Sequence, residues 1–292
     1  MPFDSEIAPK VEVNAATFVG TSTQIELEKM YSKSQLLDTI RQEFIEARFE
    51  NALAEKDIDT DFGIEFLTQL YLHKRADIPT LVGLLKRFFE GYSETPAQAC
   101  ADEIYKMCVA NFADWSGVAQ SVIMKYNITA DVQERIDLFQ YPLPMVEEPM
   151  EVTNNRMTGY QTIRGSLILK KNHTEDDICL DHINRVNSIP LAINADVVAF
   201  VDNQWKNLDH KKIDESDEDY KSRVKAFEKY TSSSKDVIAG IMAQGDRFWM
   251  THKYDKRGRT YCQGYHVTYQ GNDWSKACIQ FADKELINLD GE

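Results

Sequence analysis

Near Tyr141-Pro142-Leu143-Pro144 the hydrophobic pattern of this 292-residue chain changes its period. Before that point apolar side chains return every three or four positions, with Leu36, Leu37, Ile40 and Phe44 as the clearest set. That spacing puts them on one stripe of a half-buried helix. Two prolines in four residues then stop the helix, because proline has no N–H to donate and pushes the preceding residue into extended backbone. Tyr141 to Val146 is expected to run extended, and the later part of the chain to mix strands with helices. The fold class expected is α+β, mainly α.

Before the break, Asp77 ahead of Pro79 and Thr95 ahead of Pro96 read as helix starts: a short oxygen-bearing side chain caps free amides, and the proline fits the first turn. Cys100, Ile104, Met107 and Cys108 share a helical face, which makes both cysteines core residues. Residues 1 to about 22 show no clear period. After the break, Tyr160, Ile163, Leu167 and Leu169 around Gly165 suggest strands or a hairpin over 159–170. Helix resumes near Leu180 and runs, with a break or restart at Pro190, to about Trp205. The acidic run 214–219 reads as a solvated loop and the negative start of the next helix. That helix has Tyr220, Val224 and Phe227 on one face and Lys221, Lys225 and Lys229 on another. A shorter helix is expected over Ser234 to Gln244, with Ile238, Ile241 and Met242 inward.

Composition excludes several classes. The longest apolar stretches, such as Val197 to Val201, are five residues, whereas a bilayer-spanning helix needs roughly 20. Asp4 and Glu6 precede any apolar run, so a secretory signal peptide is not expected. Five cysteines without CxxC spacing read as free thiols. His173, Cys179 and His182 offer two imidazoles and one thiolate and lack a fourth ligand, so no zinc site is expected. The net charge is −14, but residues 220–276 hold 11 basic side chains against 5 acidic. Such a patch can hold phosphates at one surface of a body that otherwise repels them. Chance clustering on an acidic protein is the competing account.

The densest chemical signal is FWMTHKYDKRGRTY, Phe248 to Tyr261. Arg257 and Arg259 flank Gly258, whose missing side chain lets the backbone turn or approach a ligand closely. Guanidinium groups there fork onto phosphate oxygens in a way lysine does not reproduce. Asp255 is placed to orient one guanidinium, and Tyr261 offers a ring or hydroxyl to a sugar or base. An exposed basic hairpin with no ligand has the same local sequence.

The wider spacing resembles a family. YDKRGRTY followed after eight residues by QGNDWSKACIQFADKE (Gln270 to Glu285) is similar to the opening of the palm in single-subunit RNA polymerases, the bacteriophage, mitochondrial and chloroplast enzymes. LDHINRVNSIPLAIN (Leu180 to Asn194) resembles the helix leading into their thumb, with Leu191 where the family has tryptophan. LPMVEEP (Leu143 to Pro149) resembles an extended segment before that helix. The resemblance covers roughly residues 140–292. It implies a right-hand polymerase layout: an acidic helical N-terminal domain over 1–140, an extended or hairpin segment and lead-in helix over 141–195, a reduced thumb over 196–246, and the start of the palm over 247–292. Asp255, Arg257, Gly258 and Arg259 would contact the template near the RNA–DNA hybrid, with Tyr261 and Lys276 close to the active centre. The basic helix bearing Lys221, Arg223, Lys225 and Lys229 would be the thumb's grip on the hybrid.

The resemblance also implies what this sequence lacks. The family's two metal-holding aspartates and its fingers lie beyond the palm opening, and Asp290-Gly291 comes too soon after the arginines to be the first of them. No catalytic residue and no metal ligand is therefore expected in this chain. Mg2+ is expected on a second polymerase subunit that carries the fingers and catalytic palm, as in family members divided between two chains. The partners implied are that subunit, template DNA and nascent RNA, in the cytoplasm of an infected bacterial host, with no direct membrane insertion. Residues 1–140 carry 23 acidic against 13 basic side chains, a poor surface for duplex DNA. Dependence on a melted template or on a single-stranded-DNA-binding accessory protein is expected. The alternatives are a non-catalytic nucleic-acid-binding transcription accessory protein and a helical protein with a coincidental basic turn.

Overall fold

In the computed structural model of the chain the described residues are 23–284, apart from 92, 172–175 and 177. His173, Glu285 and Asp290-Gly291, singled out above, lie outside them. The fold is α+β and mainly α, as expected from the pattern. The described residues divide into two compact units: 33–136, and 23–32 together with 137–284. The opening helix, α1 (Gln24–Met30), thus groups with the later part of the chain and not with the helices that follow it.

The unit over 33–136 contains α2 (Lys33–Glu46), α3 (Phe49–Ala54), α4 (Thr60–His73), β1 (Arg75–Ala76), α5 (Ile78–Leu85), α6 (Pro96–Val109), β2 (Ala113–Ser116), β3 (Ser121–Met124) and the start of α7 (Ala130–Phe139). Its centre is α4, buried continuously from Phe62 to Tyr71. Leu36, Ile40 and Phe44 of α2 are buried at the spacing the sequence shows, and α2 packs on α4. The one charge in that buried stretch, Glu65, takes Arg41 Nη2 at 2.5 Å and Arg87 Nη2 at 3.1 Å. Burial pushes its carboxyl up, and the hydrogen bonds from Arg41 and Gln69 outweigh that and hold it below the ordinary range.

Three expectations for this region need correction. It is not purely helical: β1, β3 and β2 form an antiparallel sheet in that order, with Arg75 and Asp114 both opposite Ile123. Thr95 makes no side-chain cap, although α6 does start at Pro96; Asp77 caps α5 through the Thr80 amide at 2.8 Å. Cys100 is fully buried in α6, while Cys108 is only half-buried.

In the other unit, Thr23 and Glu26 form a reciprocal capping box at the start of α1. Glu28, 1% exposed, ties this helix down: it accepts from the Thr162 amide and hydroxyl, both at 2.5 Å, and from the Gln161 amide at 2.8 Å. Met145 runs extended and exchanges both backbone bonds with Trp249 at 2.8 Å. Residues 159–170 are not a hairpin; they follow an irregular path that touches Tyr254 through a bridge at Ile168, with Tyr160 and Leu167 buried.

Next come α8 (Leu180–Asn187), β4 (Leu191–Ile193), α9 (Ala195–Phe200), α10 (Asp217–Gln244), β5 (His252–Tyr254), β6 (Thr260–Cys262), α11 (Asp273–Ala277) and β7 (Ile279–Phe281). Pro190 ends the helical run as expected, but a strand follows it: β4 pairs antiparallel with β7. The two helices expected between 217 and 244 are one helix of 28 residues, α10. Ser216 caps it through the Asp219 amide at 3.0 Å, and Asp217, Glu218 and Asp219 face its positive end. Ile238 and Ile241 are buried as expected, whereas Met242 is exposed.

Candidate nucleic-acid interface

The strands β5 and β6 pair with His252 opposite Cys262, Lys253 opposite Tyr261 and Tyr254 opposite Thr260. Side chains alternate across such a ribbon, so the pairs belong to two faces. His252, Tyr254 and Cys262 are buried, and Tyr254 joins Val152, Leu167 and Ile183 of α8 in one apolar cluster. On that inner face His252 Nδ1 meets Asn187 Oδ1 at 2.8 Å, and its Nε2 meets the Tyr269 hydroxyl. Burial, with a smaller push from His182, lowers the His252 pKa to about 4, so the ring is neutral. Lys253 and Tyr261 lie on the outward face.

The loop between the strands is three residues, Lys256 to Gly258, closed by the Asp255 amide donating to the Arg259 carbonyl at 2.9 Å. The Gly258 amide donates to the Asp255 carbonyl at 3.0 Å, and Gly258 sits at φ +81°. A three-residue hairpin loop of this kind ends in a left-handed residue, which glycine occupies without strain. A methyl group at Gly258 would meet nothing within 4 Å, so backbone conformation alone sets the requirement.

Asp255 organises the turn. One carboxylate oxygen accepts from the Arg257 and Arg259 amides at 2.8 and 3.0 Å. The other accepts from Arg257 Nε and Nη2 at 3.0 and 2.8 Å, Arg259 Nε at 3.2 Å and the Tyr261 hydroxyl at 3.3 Å. Burial raises its pKa, but these bonds, led by those from Arg257, outweigh it and hold the carboxyl below the ordinary carboxylate range. The Asp255 side chain keeps 13% of its exposure, against 62% for Arg257 and 56% for Arg259. Thus the carboxylate is turned inward as a clamp, and the guanidinium groups are turned outward. Among the described residues the terminal nitrogens of Arg259 have no protein acceptor, leaving its fork open to a planar or tetrahedral anion.

Gln270 joins the second motif to the first. Its side chain accepts from the Cys262 amide at 2.9 Å and donates to the Thr260 carbonyl at 3.1 Å. Asn272 then caps α11 through the Ser275 amide, and buried Trp274 donates to the Val201 carbonyl at 2.8 Å. Lys276 is left exposed on α11, 3.6 Å from Asp273.

The α10 row separates into members with different partners. Lys221 and Lys225 are exposed and, among the described residues, without an ion-pair partner. Arg223 closes a bidentate pair with Glu215, Nε–Oε1 and Nη2–Oε2 both at 2.7 Å, and stands over the Tyr220 ring. Its hydrogen bond pulls the Glu215 carboxyl to about 2. Arg223 therefore anchors the start of α10. Lys229 pairs with Asp137. No hydrogen bond or ion pair among the described residues joins this row to the Asp255 cluster.

Sequence reasoning missed Lys253, although the alternation His252-Lys253-Tyr254-Asp255 carries the signal that puts it beside Tyr261 and Asp255. Among the described residues no three His, Cys, Asp or Glu side chains gather as they would to hold a metal ion. Among the same residues no helix is long and apolar enough to cross a membrane.

No family model matches the chain. A protein of Agaricus bitorquis named as a probable DNA-directed RNA polymerase is 28% identical over an alignment of 170 positions that covers 50% of this chain. The chain spans only 15% of that protein's length. Its sequence is thus similar to part of a DNA-directed RNA polymerase.

Proposed function

We propose that the chain is the smaller, N-terminal subunit of a two-chain RNA polymerase of the single-subunit type, resembling the heterodimeric RNA polymerase II of a lytic podovirus. In this reading α10 is a reduced thumb and the β5–β6 hairpin opens the palm. The second chain supplies the fingers, the catalytic aspartates and the Mg2+ they hold. This chain supplies grip and position to DNA-directed nucleotidyl transfer and does no chemistry alone.

The observation that carries the reading is the clamp at Asp255, which holds two arginines of a tight turn by their inner edges and leaves the Arg259 fork free. Such a group fits the phosphates of a template strand and fixes their direction. The partial similarity to a DNA-directed RNA polymerase supports the same reading. The exposed Lys221 and Lys225 add sequence-independent attraction for a nucleic-acid backbone.

The test is isolation of the native complex and identification of its second polypeptide, followed by transcription from the reassembled pair. The pair should make RNA on a melted template and need an accessory single-stranded-DNA-binding protein on duplex DNA, while this chain alone makes none. Arg259→Lys keeps the charge and loses the planar fork, so RNA synthesis by the pair should fall sharply. Absence of any second polypeptide, or unchanged elongation by the lysine variant, defeats the assignment.

A further inference from the structure

The outward face of the hairpin carries a half-buried cation, Lys253, that the Asp255 clamp does not account for, whereas Lys256 in the loop is exposed. Lys253 stands directly across the ladder from Tyr261 and two residues before Asp255, which follows the strand. The Tyr261 hydroxyl reaches Asp255, so the three side chains share the face on which the arginines are displayed. Lys253 is half-buried, and among the described residues its ammonium has no carboxylate, carbonyl or hydroxyl partner. Burial alone pushes its pKa down.

That combination is unusual in a chain with 47 acidic residues, where a counter-ion is easily found. A partly desolvated ammonium without a counter-ion destabilises the free protein, and lysines are rarely withdrawn from water unpaired. The nearest acid in the register, Asp255, is already saturated by Arg257, Arg259, Tyr261 and two amides. It cannot serve Lys253 as well. The hairpin thus gathers Lys253, Arg257 and Arg259, with exposed Lys256 in the loop beside them, around one carboxylate that is already fully used, and an anion from outside would balance them.

We propose that Lys253 is the third cation of the hairpin site and seats a phosphodiester group of a nucleic-acid strand on the outward face, beside the open fork of Arg259. The division of labour follows from the chemistry of the two side chains. Arg259 offers a planar fork that sets orientation, and Lys253 offers a compact charge that adds attraction without direction. The inference rests on the nucleic-acid reading of the turn.

The test uses the full chain and a fluorescent 12-nucleotide single-stranded DNA. Lysine acetylation of the wild-type protein, read by mass spectrometry, should slow about tenfold at Lys253 when the DNA stands at ten times its Kd. Exposed Lys56 should be unaffected. In binding titrations Lys253→Met should weaken affinity about five- to tenfold at 0.1 M salt and reduce the salt slope by about 0.7. Lys253→Arg should restore the slope. If Lys253→Met binds like wild type while Arg259→Ala loses affinity, the role of Lys253 is overturned and the turn's role stands. If no variant changes binding, or the wild type does not bind, both fall. Should the methionine variant fail to fold, acetylation of the wild type decides alone, and unslowed labelling at saturating DNA overturns the proposal. Protection of Lys253 by GTP in place of the oligonucleotide overturns the assignment to a strand.

Discussion

The carboxylate of Asp255 holds the Arg257 side chain at two points, Nε at 3.0 Å and Nη2 at 2.8 Å, while its other oxygen takes the Arg257 amide at 2.8 Å. One acid therefore fixes both the bend of the chain and the direction of the cation displayed on it. Asp255→Asn leaves one acceptor oxygen where two are used. Hydrogen exchange at the Arg257 and Arg259 amides should accelerate by about tenfold, with the rest of the hairpin less affected. Exchange rates unchanged in the variant would mean the turn stands without its clamp.

Gly258 makes the complementary prediction. Its φ of +81° lies where a Cβ strains the backbone, and its surroundings are open to 4 Å. Gly258→Ala should therefore destabilise the protein by about 1 kcal/mol, and Gly258→Asn by less, because asparagine tolerates left-handed backbone. Urea unfolding of the two variants measures the difference; equal losses would implicate crowding and not conformation.

The turn was legible in the sequence because its demands are local. Glycine between arginines and an aspartate two residues upstream specify the loop, and Pro79 behind Asp77 specifies a helix start in the same way. What was not legible depends on distant partners. Arg75 and Ala76 form a strand only because Ile123 and Val122, more than forty residues later, pair with them. The run Thr231-Ser232-Ser233-Ser234 argues for a break in α10, yet tertiary packing buries Ser234 and carries the helix through. Arg223 has the spacing of an exposed basic row; that it turns back to Glu215, ahead of the helix, is a matter of how residues 206–216 fold over its first turns. Lys253 had a local signal in the alternation of its strand, overshadowed by the arginines beside it.

The partners of the α10 row separate its members in a binding experiment. Lys221 and Lys225 are exposed and unpaired among the described residues, whereas Arg223 is held by Glu215 at two points. Replacing both lysines with glutamine should lower the salt slope for single-stranded DNA by about 1.4 and weaken binding across sequences. Arg223→Gln should leave the slope unchanged and lower the melting temperature, since it frees Glu215 and the start of α10. A slope change for Arg223→Gln as large as that of the lysine pair would mean that the Glu215 bond opens to release a grip on the strand.

His252 ties the stability of the hairpin to pH. Its ring is buried between Asn187 and Tyr269, and burial with the nearby His182 lowers its pKa from the ordinary 6.5 to about 4. The unfolded chain therefore binds a proton more readily than the folded one between those values, and stability must rise with pH across that window. The contribution is complete above about 6.5 and is lost as the pH falls through about 4, amounting to about 3 kcal/mol over the interval. His266, also lowered by burial, acts in the same direction, and so does His73. Comparison with His252→Gln isolates the one ring. The variant should be less stable than wild type at pH 7, where the neutral imidazole donates from Nδ1 and accepts at Nε2, and the gap should narrow steadily toward pH 4. Melting curves at half-unit steps of pH measure it. A gap that stays constant would show that the buried ring does not take up its proton on unfolding, and the fit of the inner face around a neutral histidine would have to be abandoned.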